Sequence, residues 1–271
     1  MSTVQAARRA GAHLAPYGVV GGATHVAEHT AFRYRRMWAF LVMGAVEPLL
    51  YLFGVGIGVG ALVGSISVGG HDVSYRVFVA PGLMATAAMN GVLFETTFGL
   101  FFQIKITKVF QSMLATPMTV TSIVLGVIAW SVVRGGLYSV VFFVVMLALG
   151  LVQTPLAILM VPAALLTAFA FAGVGCAATT FVRGWTDLEV VQLAIMPVTL
   201  FSATFFPISV YPGALQAVVQ LSPLYHAIDL MRGLALGQPS WAMAPDVAYL
   251  VALSGVCIWL ATRRLSRRLR P

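Results

Sequence analysis

Charge is what this chain has least of. Only 9% of its 271 residues are Asp, Glu, Lys or Arg, where a soluble domain carries roughly 25%. Too few ionised groups are present to keep a globule of this size in water, so a soluble fold is excluded. Lysine is scarcer still, with Lys105 and Lys108 alone against fourteen arginines. Neither lysine follows a glycine, so the phosphate-cradling pattern G-x-x-x-x-G-K-[ST] is missing. The chain therefore does not hydrolyse ATP by that route. Two cysteines, Cys176 and Cys257, both lie inside apolar runs. They offer neither a disulfide framework nor a metal-ligand spacing, and read as small core hydrophobes. No paired His, Asp or Ser constellation falls on neighbouring apolar runs, which argues against an intramembrane enzyme.

Hydrophobic residues, at 60% with a mean hydropathy of +0.95, fill the space the charges leave. Six runs of membrane-spanning length stand out at about 38–61, 77–100, 120–149, 156–181, 188–209 and 244–262. The expected fold is an all-α polytopic membrane protein of six transmembrane helices. A cytosolic segment (1–37) precedes the membrane domain (38–262), and a basic cytosolic tail (263–271) follows it. The net charge of +8 does not point to nucleic acid, because the basic residues fall in short clusters between apolar runs. Such clusters act as topology signals. With the N-terminus inside, thirteen basic residues lie in cytosolic segments and two, Arg76 and Arg232, lie outside. Both termini are then cytosolic, in the plasma membrane.

Three segments outside the spans carry their own patterns. Residues 24–40 predict an interfacial helix with Thr24 as N-cap; Ala27, Ala31, Tyr34 and Trp38 share one face, and Glu28, Arg35 and Arg36 another. Residues 209–242 are too long for a turn and too apolar for a free loop. Pro212 and Pro223 each open a short helical pattern, and Gly237 closes the second, which predicts two outer-leaflet helices over about 209–237. Between spans two and three, QIKITKVFQSM leads into LATP. Ile106, Val109, Phe110, Met113 and Leu114 recur at helical spacing opposite Lys105, Lys108 and Ser112. Such a helix, over about 103–117, suits two jobs: lying among headgroups, or entering a groove on a cytosolic partner.

Isolated charges within spans are costly, at about 2.5–3.5 kcal/mol each on insertion scales. A Glu47–Arg134 or a Glu95–Arg134 pair would neutralise the charge and tie spans together as a structural ion pair; alternatively Glu47, Glu95 and Arg134 serve gating or substrate contact, or snorkel to the interface. The glycines of GVGIGVG (54–60) lie inside a span with no strand before them, so they serve close helix packing rather than a dinucleotide. His226, Asp229 and Arg232 recur every three residues and predict a polar stripe facing an outer vestibule. Pro197 predicts a kink in span five.

The run FETTFGLFFQIKITKVFQSMLATPMTVTSIVLGVIAWSVVRG (94–135) resembles the ABC-2 type family of bacterial export permeases, and within it the nodulation-factor and daunorubicin-resistance permeases. Glu95, Leu114 to Pro117, Ala129, Trp130 and Arg134 fit its motif places. EPLLYLFGVGIGVG (47–60), APGLMATAAMN (80–90) and the run 201–234 continue the likeness in order. The resemblance implies a permease subunit that pairs with a second copy or a homologous permease and sits on separate ABC ATPase subunits. ATP and Mg would be bound by those subunits, with no cofactor in this chain. Residues 103–117 would be the coupling helix, with Lys105, Lys108, Val109, Phe110, Met113 and Leu114 meeting the ATPase. The cargo would be amphipathic: a drug-like polyketide, a glycolipid or a lipo-oligosaccharide. A proton-coupled secondary transporter using Glu47 or Glu95 as carrier is the alternative.

Overall fold

The computed structural model describes residues 19–35, 38–68, 71–115, 118–238, 240–241 and 243–269. Eleven helices carry the fold among them. In chain order they are α1 (Val19–Arg35), α2 (Trp38–Val63), α3 (Tyr75–Phe94), α4 (Leu100–Lys105), α5 (Val109–Leu114), α6 (Val120–Ala148), α7 (Met160–Thr179), α8 (Trp185–Phe201), α9 (Gly213–Gln220), α10 (Pro223–Ala235) and α11 (Met243–Leu269). One π-helical turn, Glu95–Gly99, joins α3 to α4 without a break. The fold is not purely helical. Strands β1 (Ser65–Val68) and β2 (His71–Ser74) pair antiparallel, Ile66 opposite Val73, in the connection between α2 and α3.

α3 is the axis of the molecule. It is buried along almost its whole length and packs against α2, α6, α7 and α10. Small residues on α3 and α6 set the closest approach. A methyl group added at Gly91 would lie 2.9 Å from Gly135 Cα, and one at Gly135 would lie 3.0 Å from the Ala88 carbonyl oxygen. Backbones come this near only where side chains are missing. By contrast α2, α8 and α11 expose Leu50, Phe53, Leu193, Met196, Val251 and Trp259. A bilayer covers such a surface at no cost, whereas water would not.

Among the described residues five stretches are long and apolar enough to cross a membrane: Val46–Val63, Tyr75–Lys105, Val120–Ala148, Pro155–Thr179 and Met243–Arg267. The run expected over 188–209 differs. Its helix, α8, starts earlier and stops at Phe201, giving 17 residues or ~26 Å, short of a ~30 Å hydrocarbon core. The chain turns immediately after it, with Ala203 at φ 57° and Pro207 four residues on, and neither continues a helix.

The N-terminal helix also departs from expectation. α1 begins at Val19, so Thr24 lies inside it and donates its hydroxyl to the Gly21 carbonyl rather than capping. Its packed face is Gly22, Val26 and Thr30, against α6, because Gly126 admits Val26 and Gly22 admits Ser122. Ala27 and Ala31 are half-buried beside that face. The side chains of Tyr34 and Trp38 lie outside the described residues.

α10 follows its signals. Pro223 occupies the first turn, and Gly237 takes φ +67° while Gln238 N–H reaches the Gly233 carbonyl at 3.0 Å.

Candidate functional site

The segment expected as one helix over 103–117 is two. α4 ends at Lys105, and the N–H groups of Ile106 and Thr107 both bond the Phe102 carbonyl at 3.0 Å. Lys108 then adopts φ 52°, which reverses the chain before α5. Lys105 and Lys108 are exposed, Val109 and Met113 half-buried, and the side chain of Leu114 lies outside the described set. Phe110 is 0% exposed and joins the main core of its own chain. It therefore anchors α5 from within and is not offered to a partner, a correction to its expected role. The amphipathic pattern was real, but Phe110 has its groove at home, while Ile106 stays exposed.

α4 is tied on its other side to α8 by aromatic rings. Trp185 meets Phe101 and Phe102 at centroid distances of 6.0 and 5.4 Å, and Phe98 at 6.5 Å. Phe98 belongs to the π turn, so ring contacts join the π turn, α4 and the start of α8.

The π turn holds Glu95. An extra residue per turn widens the helix, and the Leu100 N–H reaches back to the Glu95 carbonyl. Thr96, turned toward α7, fills the space beside Gly175, and its carbonyl accepts the Thr179 hydroxyl at 2.7 Å. Gly99 makes room for the carboxylate: an added Cβ would lie 3.0 and 3.1 Å from its two oxygens. Glu95 is 0% exposed and Arg134 5% exposed, with Arg134 Nη1 3.6 Å from Glu95 Oε2. Of the two pairings considered, this is the one the fold makes. Arg134 Nε also donates to the Tyr138 hydroxyl at 2.9 Å, and the guanidinium sits 5.6 Å from the Phe94 ring centroid and 5.4 Å from that of Tyr138. A buried charge needs such partners in number.

Arg134 lines a cavity of about 500 Å³ between α2, α3, α6 and α8. Glu47, Asn90 and Gln192 present polar groups to it, and Leu83, Met196 and Phe205 apolar ones. From Leu83 to Phe94 its wall runs eleven residues of α3, or ~16 Å. Volume and mixed lining suit a drug-sized amphipath. Asn90, Tyr138 and Gln192 were not singled out in the sequence; Tyr138 alone carried a signal, four residues beyond Arg134 on one helix face.

His226, Asp229 and Arg232 do not form one site. Spacing by three spreads them over ~120° of α10, so each meets a different neighbour. His226 Nδ1 lies 2.7 Å from Asp246 Oδ1 on α11, with its ring 4.1 Å from that of Tyr249. Asp229 is exposed. Arg232 is buried, donating to the Ala203 carbonyl at 3.0 Å and lying 3.9 Å over the Phe78 ring. It fastens the turn after α8 to α3 instead of facing a vestibule. Burial pulls its pKa down to about 10, with Asp229 and Tyr225 opposing, so it remains a cation at pH 7.

Residues 26–236 match the family model described as ABC-2 type transporter. The chain belongs to that family. Nodulation protein J of Rhizobium leguminosarum bv. trifolii is 35% identical over 232 residues, covering 85% of this chain and 87% of the relative. Nodulation protein J of Rhizobium meliloti (strain 1021) is 32% identical over 234 residues, covering 86% and 88%. The inner membrane transport permease YadH of Escherichia coli (strain K12) is 24% identical over 202 residues, covering 74% and 77%. This ABC-2 permease is thus a multi-pass protein of the bacterial inner membrane and a transmembrane subunit of an ABC transporter. The Glu95–Arg134 pair and the cavity lie within the matched region.

Proposed function

We propose that this permease exports an amphipathic substrate across the bacterial plasma membrane, powered by separate ABC ATPase subunits that bind ATP and Mg. The cavity beside Arg134 carries this reading: it has the size, the apolar wall and the few convergent polar groups that such a cargo needs. Six crossings complete the working unit, α8 and the turn after it making the fifth, with both termini cytosolic and a second copy or a homologous permease alongside. α4 and α5 with the turn between them meet the ATPase, through exposed Lys105, Ile106, Lys108 and Ser112. Val109 and Met113 lie at the edge of that surface, and Leu114 ends α5. The aromatic contacts from α4 to α8 give motion there a route to the cavity wall. His226 and Asp229 lie on the outer side in this topology.

Topology is the reading's first test. Single cysteines at Ser112 and Ser240, in a chain lacking Cys176 and Cys257, are expected to react with an impermeant maleimide from opposite sides of the membrane. Reaction of both from outside would remove the coupling surface from the cytosol and end the proposal.

A further inference from the structure

The charges around the cavity do not balance. Arg134 faces Glu95, an ion pair with one charge of each sign. Glu47 projects from α2 into the same cavity, and among the described residues it takes part in no ion pair or hydrogen bond. The other polar lining groups, Thr86, Asn90, Gln192 and Thr199, are neutral. One negative charge is therefore left over, nine residues into a 26-residue helix, or ~14 Å from its start. It lies within the apolar stretch Val46–Val63. An uncompensated carboxylate there is costly, and it repels an anion while attracting a cation. The ring of Tyr51, four residues on from Glu47 along α2, also lines the cavity and favours a cation.

We infer that the cavity is built for an amphipath bearing a protonated amine, its ammonium group held at Glu47 and its apolar body against Leu83, Met196 and Phe205. Glu95 is committed to Arg134, so Glu47 is the cavity's recognising carboxylate. The inference rests on the cavity being the cargo's binding site. A neutral glycolipid fits the volume but leaves Glu47 uncompensated, and a lipid phosphate meets it with like charge.

The test uses two probes that differ only in charge, a BODIPY-alkylamine and its N-acetyl derivative. Binding is read by fluorescence anisotropy with the permease–ATPase complex in phosphatidylcholine nanodiscs, after subtracting empty nanodiscs. The amine is expected to bind about tenfold more tightly than the acetamide, the scale of one charge-assisted contact. Glu47→Gln removes that preference and leaves acetamide binding as it was, while Glu47→Asp keeps it. Equal binding of the two probes by the unsubstituted permease overturns the inference without any variant, yet leaves the cavity as a cargo site. Binding of neither probe above empty nanodiscs overturns the cargo-site reading and the inference together. A preference for the amine that survives Glu47→Gln overturns the assignment to Glu47.

Discussion

Arg134→Ala will lower the stability of the permease by about 3–5 kcal/mol, the usual cost of removing one partner from a buried ion pair. The physical reason is Glu95, which stays behind fully buried with its counter-charge gone. The Tyr138 hydroxyl loses its donor in the same step. Adding Glu95→Gln to Arg134→Ala is expected to recover a large part of the loss, because a neutral amide replaces the stranded carboxylate. Glu47→Gln added to the same background recovers nothing, since Glu47 is not the partner. Thermal unfolding of the purified single and double mutants measures all three effects. Additive losses for Glu95 and Arg134 would mean the 3.6 Å pair carries no coupling.

Phe110→Ala is the second large effect. Deleting a fully buried phenylalanine costs about 3–5 kcal/mol in a packed core, and here the cost falls on the seat of α5. Phe110 is an internal anchor, so its loss detaches α5 from the spans while leaving the exposed lysines intact. Insertion in the membrane persists, because the long apolar helices do not depend on α5. Cargo-stimulated ATP hydrolysis by the partner subunits is expected to collapse. Lys108→Ala removes one exposed charge, worth about 0–1 kcal/mol, and should reduce it little. The readout is stimulated ATPase turnover of the reconstituted complex for both variants, beside the amount of permease recovered from membranes. Normal turnover in Phe110→Ala would mean that α5 transmits nothing.

The spans themselves were legible because long apolar runs can form little besides helices in lipid. α2, α6 and α7 lie where hydropathy places them, within a few residues; α3 stops at Phe94, where the π turn takes over, and α11 runs on past the expected limit to Leu269. α8 shifted because its end depends on the turn at Ala203, which no apolar pattern records. The hairpin of β1 and β2 escaped notice because a four-residue strand is shorter than any window of hydropathy.

At the site, an isolated arginine in an apolar helix announced that it needed a carboxylate. The sequence offered Glu47 and Glu95 on equal terms. What separates them is the π turn, which swings Glu95 over Gly99, together with the close approach of Gly91 and Gly135. Both are tertiary facts, since a π turn gains its support from Thr179 on another helix. The segment 103–117 shows the same limit. Its helical period was visible, but not that Phe110 would find its groove inside its own chain, nor that Lys108 would take a left-handed backbone.

The central claim is that nucleotide on the partner ATPase reshapes the cavity beside Arg134. Thr199 lines that cavity on α8, the helix tied to α4 through Trp185. A single cysteine at Thr199, in a background lacking Cys176 and Cys257, reports access from either side through its reaction rate with an impermeant maleimide. The most direct measurement compares this rate in nucleotide-free and vanadate-trapped complexes in proteoliposomes, each with and without an imposed proton gradient. The account predicts that trapping the nucleotide changes which side the label reaches Thr199→Cys from, and that the proton gradient changes nothing. Accessibility that follows the proton gradient and ignores nucleotide would contradict it, and would make the protein a proton-coupled carrier.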